Sequence, residues 1–331
     1  MTTVTGGQDM LLQLSARYTA FADHEAKGSS AVYEAFARAI AGSDGVLSFV
    51  ATLPADRQQP NLLLAAIRHL HGVPASADHL IDIVRTDPEP IRALMLARTT
   101  QTNEPARCAV LLPLLARLPQ PLALLEVGAS AGLCLMPDRY GYDYGGIRLA
   151  PRVPAGAPLP VFSCTTAGPV PIPTAPPTIA WRRGLDLNPI DVRVAADTAW
   201  LQTLVWPDQE DRAMRLRAAL AIAQQAPPTI VQGDLLKDVE PILAQAPAGA
   251  TLVVFHTAVL AYVAPSERGQ FADIMRRSGV IWISNEAPGV FPAIAKNARP
   301  APARGRFLLA INERPVAWTG PHGQSIDWFG D

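Results

Sequence analysis

The chain has 331 residues, 49% of them hydrophobic and 17% charged, which is enough for about two globular domains and excludes a disordered chain. A net charge of −1 supplies no global field to draw in nucleic acid or an anionic membrane, so neither is expected as a partner. No 18-residue apolar run and no basic, then apolar, then cleavable leader is present, and Cys108, Cys134 and Cys164 form no Cys-x-x-Cys pair; the chain reads as soluble and cytoplasmic with reduced thiols.

Residues 1–118 read as a helical domain or cap. Met10 to Ala26 carries apolar residues at helical spacing. Ala31 to Ala41 follows two candidate caps, Ser29 and Ser30, and stops at Gly42. Pro60 opens a helix that ends at Gly72, and the pattern continues near 75–86, 89–100 and 104–117. His69 and His71 stand two apart and cannot share a helix face, so with His79 they do not read as a metal site. The polar run Thr99-Thr-Gln-Thr-Asn-Glu104 reads as a loop, with Thr102 or Asn103 as cap. Should the helical part cover a cleft, Asn103 and Glu104 are candidates for orienting a substrate.

The second region, 119–331, alternates strand and helix. Leu122 to Val127 has the length of a buried parallel strand and breaks into Gly128-Ala-Ser-Ala-Gly132, small residues that let the backbone turn sharply and approach a ligand. Leu133 is expected to start a helix whose N-terminus presents free N–H groups, with Glu126 adding an acceptor beside them. Pro137 cuts that helix short. Residues 137–178 read as an inserted hairpin and proline-rich loop near the mouth of the site, in which Tyr140, Tyr142 and Tyr144 pack or line a pocket, Tyr142 being the substrate candidate.

Further strands are expected at Thr178–Asp186, Thr229–Asp234, Thr251–His256 and Gly279–Asn285. Helices are expected over 197–225, Leu235 to Ala246, and Ser266 to Ser278 with Ser266 as cap. Arg306–Asn312 and Pro315–Trp318 are placed to close as an antiparallel hairpin. Five strand-then-helix units predict a mostly parallel sheet, with ligands beyond the carboxyl ends of its strands. Glu126, Asp186, Asp234, His256 and Asn285 would then converge on one edge.

This order of motifs resembles the S-adenosylmethionine-dependent methyltransferase superfamily over roughly residues 118–331. The resemblance implies a Rossmann-like α/β sheet. Glu126-Val-Gly-Ala-Ser-Ala-Gly132 resembles its first motif, which receives the methionine moiety, so Glu126, Gly128, Ala129, Ser130 and Gly132 are implied cofactor residues. Gly184-Leu-Asp-Leu-Asn-Pro189 resembles its second, placing Asp186 on the ribose hydroxyls with Leu187 beside it. Gly233-Asp234-Leu235 resembles the adenine-binding turn, and Val253 to Pro265, containing His256, its fourth motif. The sequence departs from the pattern at Ser130, which replaces a common glycine, and in the long 137–178 insertion. The whole chain, Gln101-Thr-Asn-Glu104 included, also resembles a bacterial family described only as a domain of unknown function.

The implied activity is methyl transfer from S-adenosylmethionine, with no metal, by a monomer or homodimer. His256 is the candidate base, Asn285 and Glu286 the candidate groups orienting the acceptor. Phe255-His-Thr-Ala258 lacks the Asn/Asp-Pro-Pro-Tyr motif of many enzymes that methylate nucleic-acid amines, which favours a small-molecule acceptor. A non-catalytic binding or regulatory protein on the same fold is the alternative. A nicotinamide-dependent dehydrogenase is disfavoured by the lack of a Gly-x-Gly-x-x-Gly turn and by the end hairpin.

Overall fold

The computed structural model describes residues 4–101, 103–151 and 159–330. The chain divides into two compact units, one of residues 1–102 with 199–213, the other of 103–198 with 214–331. The larger unit holds the strands β1 (Leu122–Val127), β2 (Gly141–Asp143), β3 (Arg148–Leu149), β4 (Val161–Ser163), β5 (Thr165–Ala167), β6 (Ile179–Asp186), β7 (Ile230–Gln232), β8 (Thr251–Thr257), β9 (Ile281–Glu286), β10 (Phe307–Ile311), β11 (Arg314–Thr319) and β12 (Ser325–Trp328). A nine-stranded sheet runs in the order β5-β12-β11-β10-β9-β8-β1-β6-β7, and a small second sheet in the order β3-β2-β4. Strands β7, β6, β1, β8 and β9 are parallel; β9 to β12 form an antiparallel meander, and β5 joins β12 in parallel. The protein is thus α/β with a large mixed, mostly parallel sheet. All six residues of β1 are buried, as the unbroken apolar run demands.

From β1 the chain moves outward to β6 and β7, then returns to the other side of β1 for β8 and β9. The order of strands therefore reverses between β1 and β8, and the carboxyl ends there flank the crevice where such sheets bind ligands.

The connection from β1 to β6 departs from expectation. No α-helix follows the glycine turn; Leu133–Leu135 forms a single 3-10 turn. Pro137 and the full burial of Leu133, Cys134 and Leu135 explain this, because a surface helix needs a polar face that these residues cannot supply. The described part of the insertion instead holds the small sheet, with β2 and β3 as the expected hairpin. Arg182 on β6 pins the stretch after the turn, donating to the Leu135 carbonyl at 2.6 Å and to both carboxylate oxygens of Asp138 at 2.7 and 2.8 Å. Residues 152–158 of the insertion, like Thr102 in the polar run before it, lie outside the described residues.

Other expectations shift in smaller ways. The helix expected over 235–246 is a turn and five helical residues, Val239–Leu243. In the helix Pro265–Ser278 the carboxylate of Glu267, not Ser266, accepts the first free amide, that of Ala264. The hairpin β10–β11 closes through Asn312 and Glu313, both left-handed at φ 47° and 64°, the geometry a two-residue turn requires.

The helical unit contains Val4–Phe21, continued by a π turn at Ala22–Ala26, then Ala31–Ala41, Asp44–Ala51, Pro60–His71, Ala77–Thr86 and Pro88–Ala97. Ser30, Ser43 and Ser76 each cap a helix by accepting the amide three residues on. The segment 199–213 belongs to this unit. Trp200 lies in the same buried cluster as Tyr18, Phe36 and Ile67, and its indole donates to the Thr99 carbonyl at 2.9 Å. Trp206 packs on Phe21 and Tyr33 with ring centroids 5.7 and 5.6 Å away. Two tryptophans therefore anchor a distant stretch of chain to the helices. Trp200→Ala should accordingly destabilise the protein by about 3–5 kcal/mol, read as a lower urea midpoint of helical circular dichroism.

Candidate functional site

Along a strand, successive side chains point to opposite faces, so register decides which strand-end residues can meet. Glu126 on β1 stands in register with Gly184 on β6 and Phe255 on β8. Two residues beyond these, Asp186 and Thr257 share its face, as does Asn285, the partner of Thr257 on β9. His256 and Glu286 are one residue out of phase and project from the opposite face. The predicted rim is thus two sets of residues divided by the sheet.

The first set surrounds the glycine turn. Gly128 and Gly132 take φ of 72° and 71°, and Ser130, which has a side chain, takes 51°. A left-handed non-glycine residue costs about 1–2 kcal/mol and marks a constrained position. The Asp186 carboxylate holds it, one oxygen accepting the Ser130 amide at 2.7 Å and the other the Asn188 amide at 2.8 Å. The Leu185 carbonyl accepts the amides of Gly128 and Ala129, and the Ala129 carbonyl that of Gly132. The glycines are needed for close packing: a Cβ on Gly128 would stand 2.2 Å from Val259, and one on Gly132 would stand 2.7 Å from Pro228. Gly184 is a further such position, where a Cβ would lie 2.6 Å from that of Ala129.

The segment Asn103 to Arg107 closes this face. Asn103 clamps the turn with both ends of its amide, donating to the Ala129 carbonyl at 3.3 Å and accepting the Leu133 amide at 2.8 Å. Glu104, 4% exposed, accepts the amide of Ala106. Arg107 donates to the carbonyls of Pro321 and Thr257 at 2.9 and 3.1 Å, tying the end of β8 to the β11–β12 turn. His322 in that turn stands 3.9 Å from the Glu104 carboxylate. Arg107 and His322 escaped the sequence reading because neither lies near a recognisable motif; only the fold brings them here.

Two acceptors on this face are left unmatched. Oε2 of Glu126 and Oγ of Ser130 are buried without a hydrogen-bond partner. Burial pushes the Glu126 carboxyl well above the ordinary carboxylate range. The neighbouring Cys134 and Asp186 push the same way, and the Arg107 cation partly opposes them. An unpaired buried polar atom costs about 1–3 kcal/mol, so a pair of them in one turn asks for an explanation.

On the opposite face, His256 is 0% exposed beneath Phe271. Its Nδ1–H donates to Glu286 Oε1 at 2.8 Å, and its Nε2 accepts the indole N–H of Trp282 at 3.0 Å. Indole is only a donor, which fixes this tautomer and leaves the imidazole no lone pair for a substrate proton. This geometry corrects the reading of His256 as base and cofactor ligand. Oε1 of Glu286 also accepts the amides of Val259 and Leu260, both at 3.1 Å, so this carboxylate organises the loop after β8 and not an acceptor. Asn285, on the first face, is sealed between Thr257 and Thr319, donating to one hydroxyl at 3.0 Å and accepting the other at 2.7 Å. It braces β8, β9 and β11.

Asp234 caps the following turn by accepting the amides of Leu236 and Lys237, and its own amide goes to Asp238. Gly233 donates to the Asp186 carbonyl, which keeps this turn beside β6. Leu235 is half-buried, and Leu187 is 60% exposed just past Asp186. Tyr142 is wholly buried, its hydroxyl bonded to the Pro137 carbonyl at 2.6 Å, so it packs the insertion and reaches no substrate. Among the described residues no group of three or more His, Cys, Asp or Glu side chains is arranged to hold a metal ion, and no helix is long and apolar enough to cross a membrane.

The fold and this rim define an α/β protein with a candidate ligand crevice at the reversal of its strand order. Residues 15–328 match the family model described as "uncharacterized protein conserved in bacteria (DUF2332)", and the chain belongs to that family. Neither the curated proteins nor the solved structures contain a match.

The raised carboxyl of Glu126 makes a testable stability statement. Its folded pKa lies above the unfolded value near 4.5, so below that value both states are protonated and nothing is lost. As pH rises through 4.5 the unfolded state ionises more readily and stability falls. Glu126→Gln should therefore raise the melting temperature at pH 8, with the gain fading toward pH 4, in paired calorimetric scans.

Proposed function

We propose that the glycine-turn face binds S-adenosylmethionine and that the protein is a methyltransferase with a Rossmann-like sheet, an N-terminal helical domain and a small-molecule acceptor. One observation carries the proposal. Glu126 and Ser130 bring two buried, unpartnered polar atoms to the strand-order reversal, with Asp186 beside them. These residues fit a ligand that brings hydrogen-bond donors. An ammonium meets Glu126, and a hydroxyl or ammonium meets the Ser130 oxygen. Asp186, whose carboxylate accepts the Ser130 and Asn188 amides at the end of β6, is the acidic residue that ribose hydroxyls would meet. Leu187 offers exposed apolar surface next to it. When bound, the cofactor supplies a methyl group made electrophilic by a sulfonium.

The chain's own residues then hold the reactants and exclude water. Asn103 and Arg107 fix the turn and the end of β8, so the site is positioned by side chains that do not themselves react. The acceptor is one that needs no proton taken by His256, because that imidazole is committed within the core. That same commitment favours a second reading, a binding or regulatory protein that holds the ligand without turnover. Conversion to S-adenosylhomocysteine in the presence of acceptor separates the two.

Calorimetric titration with S-adenosylmethionine and S-adenosylhomocysteine tests the proposal. Micromolar binding is expected, weakened about 10- to 100-fold by Asp186→Ala in a folded variant. Absence of heat with both ligands at millimolar concentration would sink it.

A further inference from the structure

The loop after β8 lies where a ligand of the glycine turn must arrive. Ala258 leaves the strand with φ 57°, a left-handed conformation that an alanine adopts only under constraint. Val259 then places its side chain on Gly128, so close that a single added Cβ would stand within 2.9 Å of three of its carbon atoms. The loop is fastened at both ends. The Glu286 carboxylate takes the amides of Val259 and Leu260, and Arg268 donates to the carbonyls of Ala261 and Val263 at 3.1 and 2.8 Å. Between these anchors Tyr262 stands 83% exposed. The atoms left without partners, Glu126 Oε2 and Ser130 Oγ, belong to the residues on either side of the stretch that Val259 covers.

Resting on the reading of this turn as the methionyl end of an S-adenosylmethionine site, we propose that residues 258–263 form a closed lid, with Ala258 its hinge and Val259 the side chain a ligand displaces. Every feature has a place in that device. Glu286 on the far face of the sheet serves as the latch, because its bonds to the loop amides define the closed state, and His256 donates to the same carboxylate oxygen. The strain at Ala258 is stored in that state and released on opening. A ligand sees an affinity reduced by the fraction of molecules that are open.

S-adenosylhomocysteine titrations of the full chain, wild type, Val259→Ala and Val259→Ile, test the lid. Removing two methyl groups from the closed contact should tighten binding about tenfold, and adding one should weaken it severalfold. Equal affinities in folded variants would overturn the lid and leave the cofactor reading standing. Binding by none of the three would overturn both. Hydrogen exchange gives a readout that needs no substitution: saturating ligand should speed exchange of the Val259 and Leu260 amides as their bonds to Glu286 open. Unchanged or slower exchange there, in wild type that binds the ligand, would also reject the lid.

Discussion

The alternation of side chains along β1, β8 and β9 governs what this protein's carboxyl edge is able to do. A run of polar residues at strand ends reads along the chain as one convergent set. The pleat divides it instead, sending Glu126, Asp186, Thr257 and Asn285 to one face and His256 and Glu286 to the other. The second pair is absorbed by a core of Phe271, Trp282 and Phe291, where a histidine bonded at both nitrogens is a structural element. Whatever chemistry occurs at this rim therefore depends on the face that carries the glycine turn.

That turn solves an unusual problem. A glycine turn that opens a helix has spare N–H groups, which favour an anion. Here no helix follows, and the amides of Gly128, Ala129, Ser130, Gly132 and Leu133 are met by acceptors of the protein itself. The character of the site is inverted, since it presents unpartnered polar oxygens in place of free amides. A dinucleotide pyrophosphate finds few free amides to hold it in such a turn. This argues against the nicotinamide alternative more directly than the lack of a Gly-x-Gly-x-x-Gly turn.

Much of the architecture was legible in the residues. Leu122 to Val127 is a strand because its apolar length suits burial in a parallel sheet, and Ile179 to Asp186 pairs beside it in parallel. Helices such as Ala31–Ala41 announced themselves through a serine cap and a glycine stop. The unread parts have physical causes. The helix Asp44–Ala51 is short, and β5 and β12 are too brief for a period to show. Nothing local in 199–213 reveals that Trp200 and Trp206 belong to the helical unit, because that fact lives in contacts more than 100 residues apart. At the site, the strand-end positions of Glu126 and Asp186 were readable from motif order. The fate of His256 was not, because the donor that occupies its second nitrogen sits on a neighbouring strand.

Strain is distributed in a way that supports a functional edge. Among the described residues, four that are not glycine adopt positive φ. Asn312 and Glu313 form the tight hairpin between β10 and β11, where such angles match the twist of the strands. Ser130 and Ala258 have no such justification. They stand immediately past β1 and β8, the two strands at which the order of the sheet reverses. Together with the unmatched oxygens of Glu126 and Ser130 they cost several kcal/mol by ordinary magnitudes of about 1–3 kcal/mol each. A fold held only for stability has cheaper residues for these places: glycine at 130 and 258, and an apolar side chain at 126. Persistence of four costly choices around one crevice is what a site shaped for a ligand requires, since the groups that welcome the ligand are the ones left unsatisfied without it.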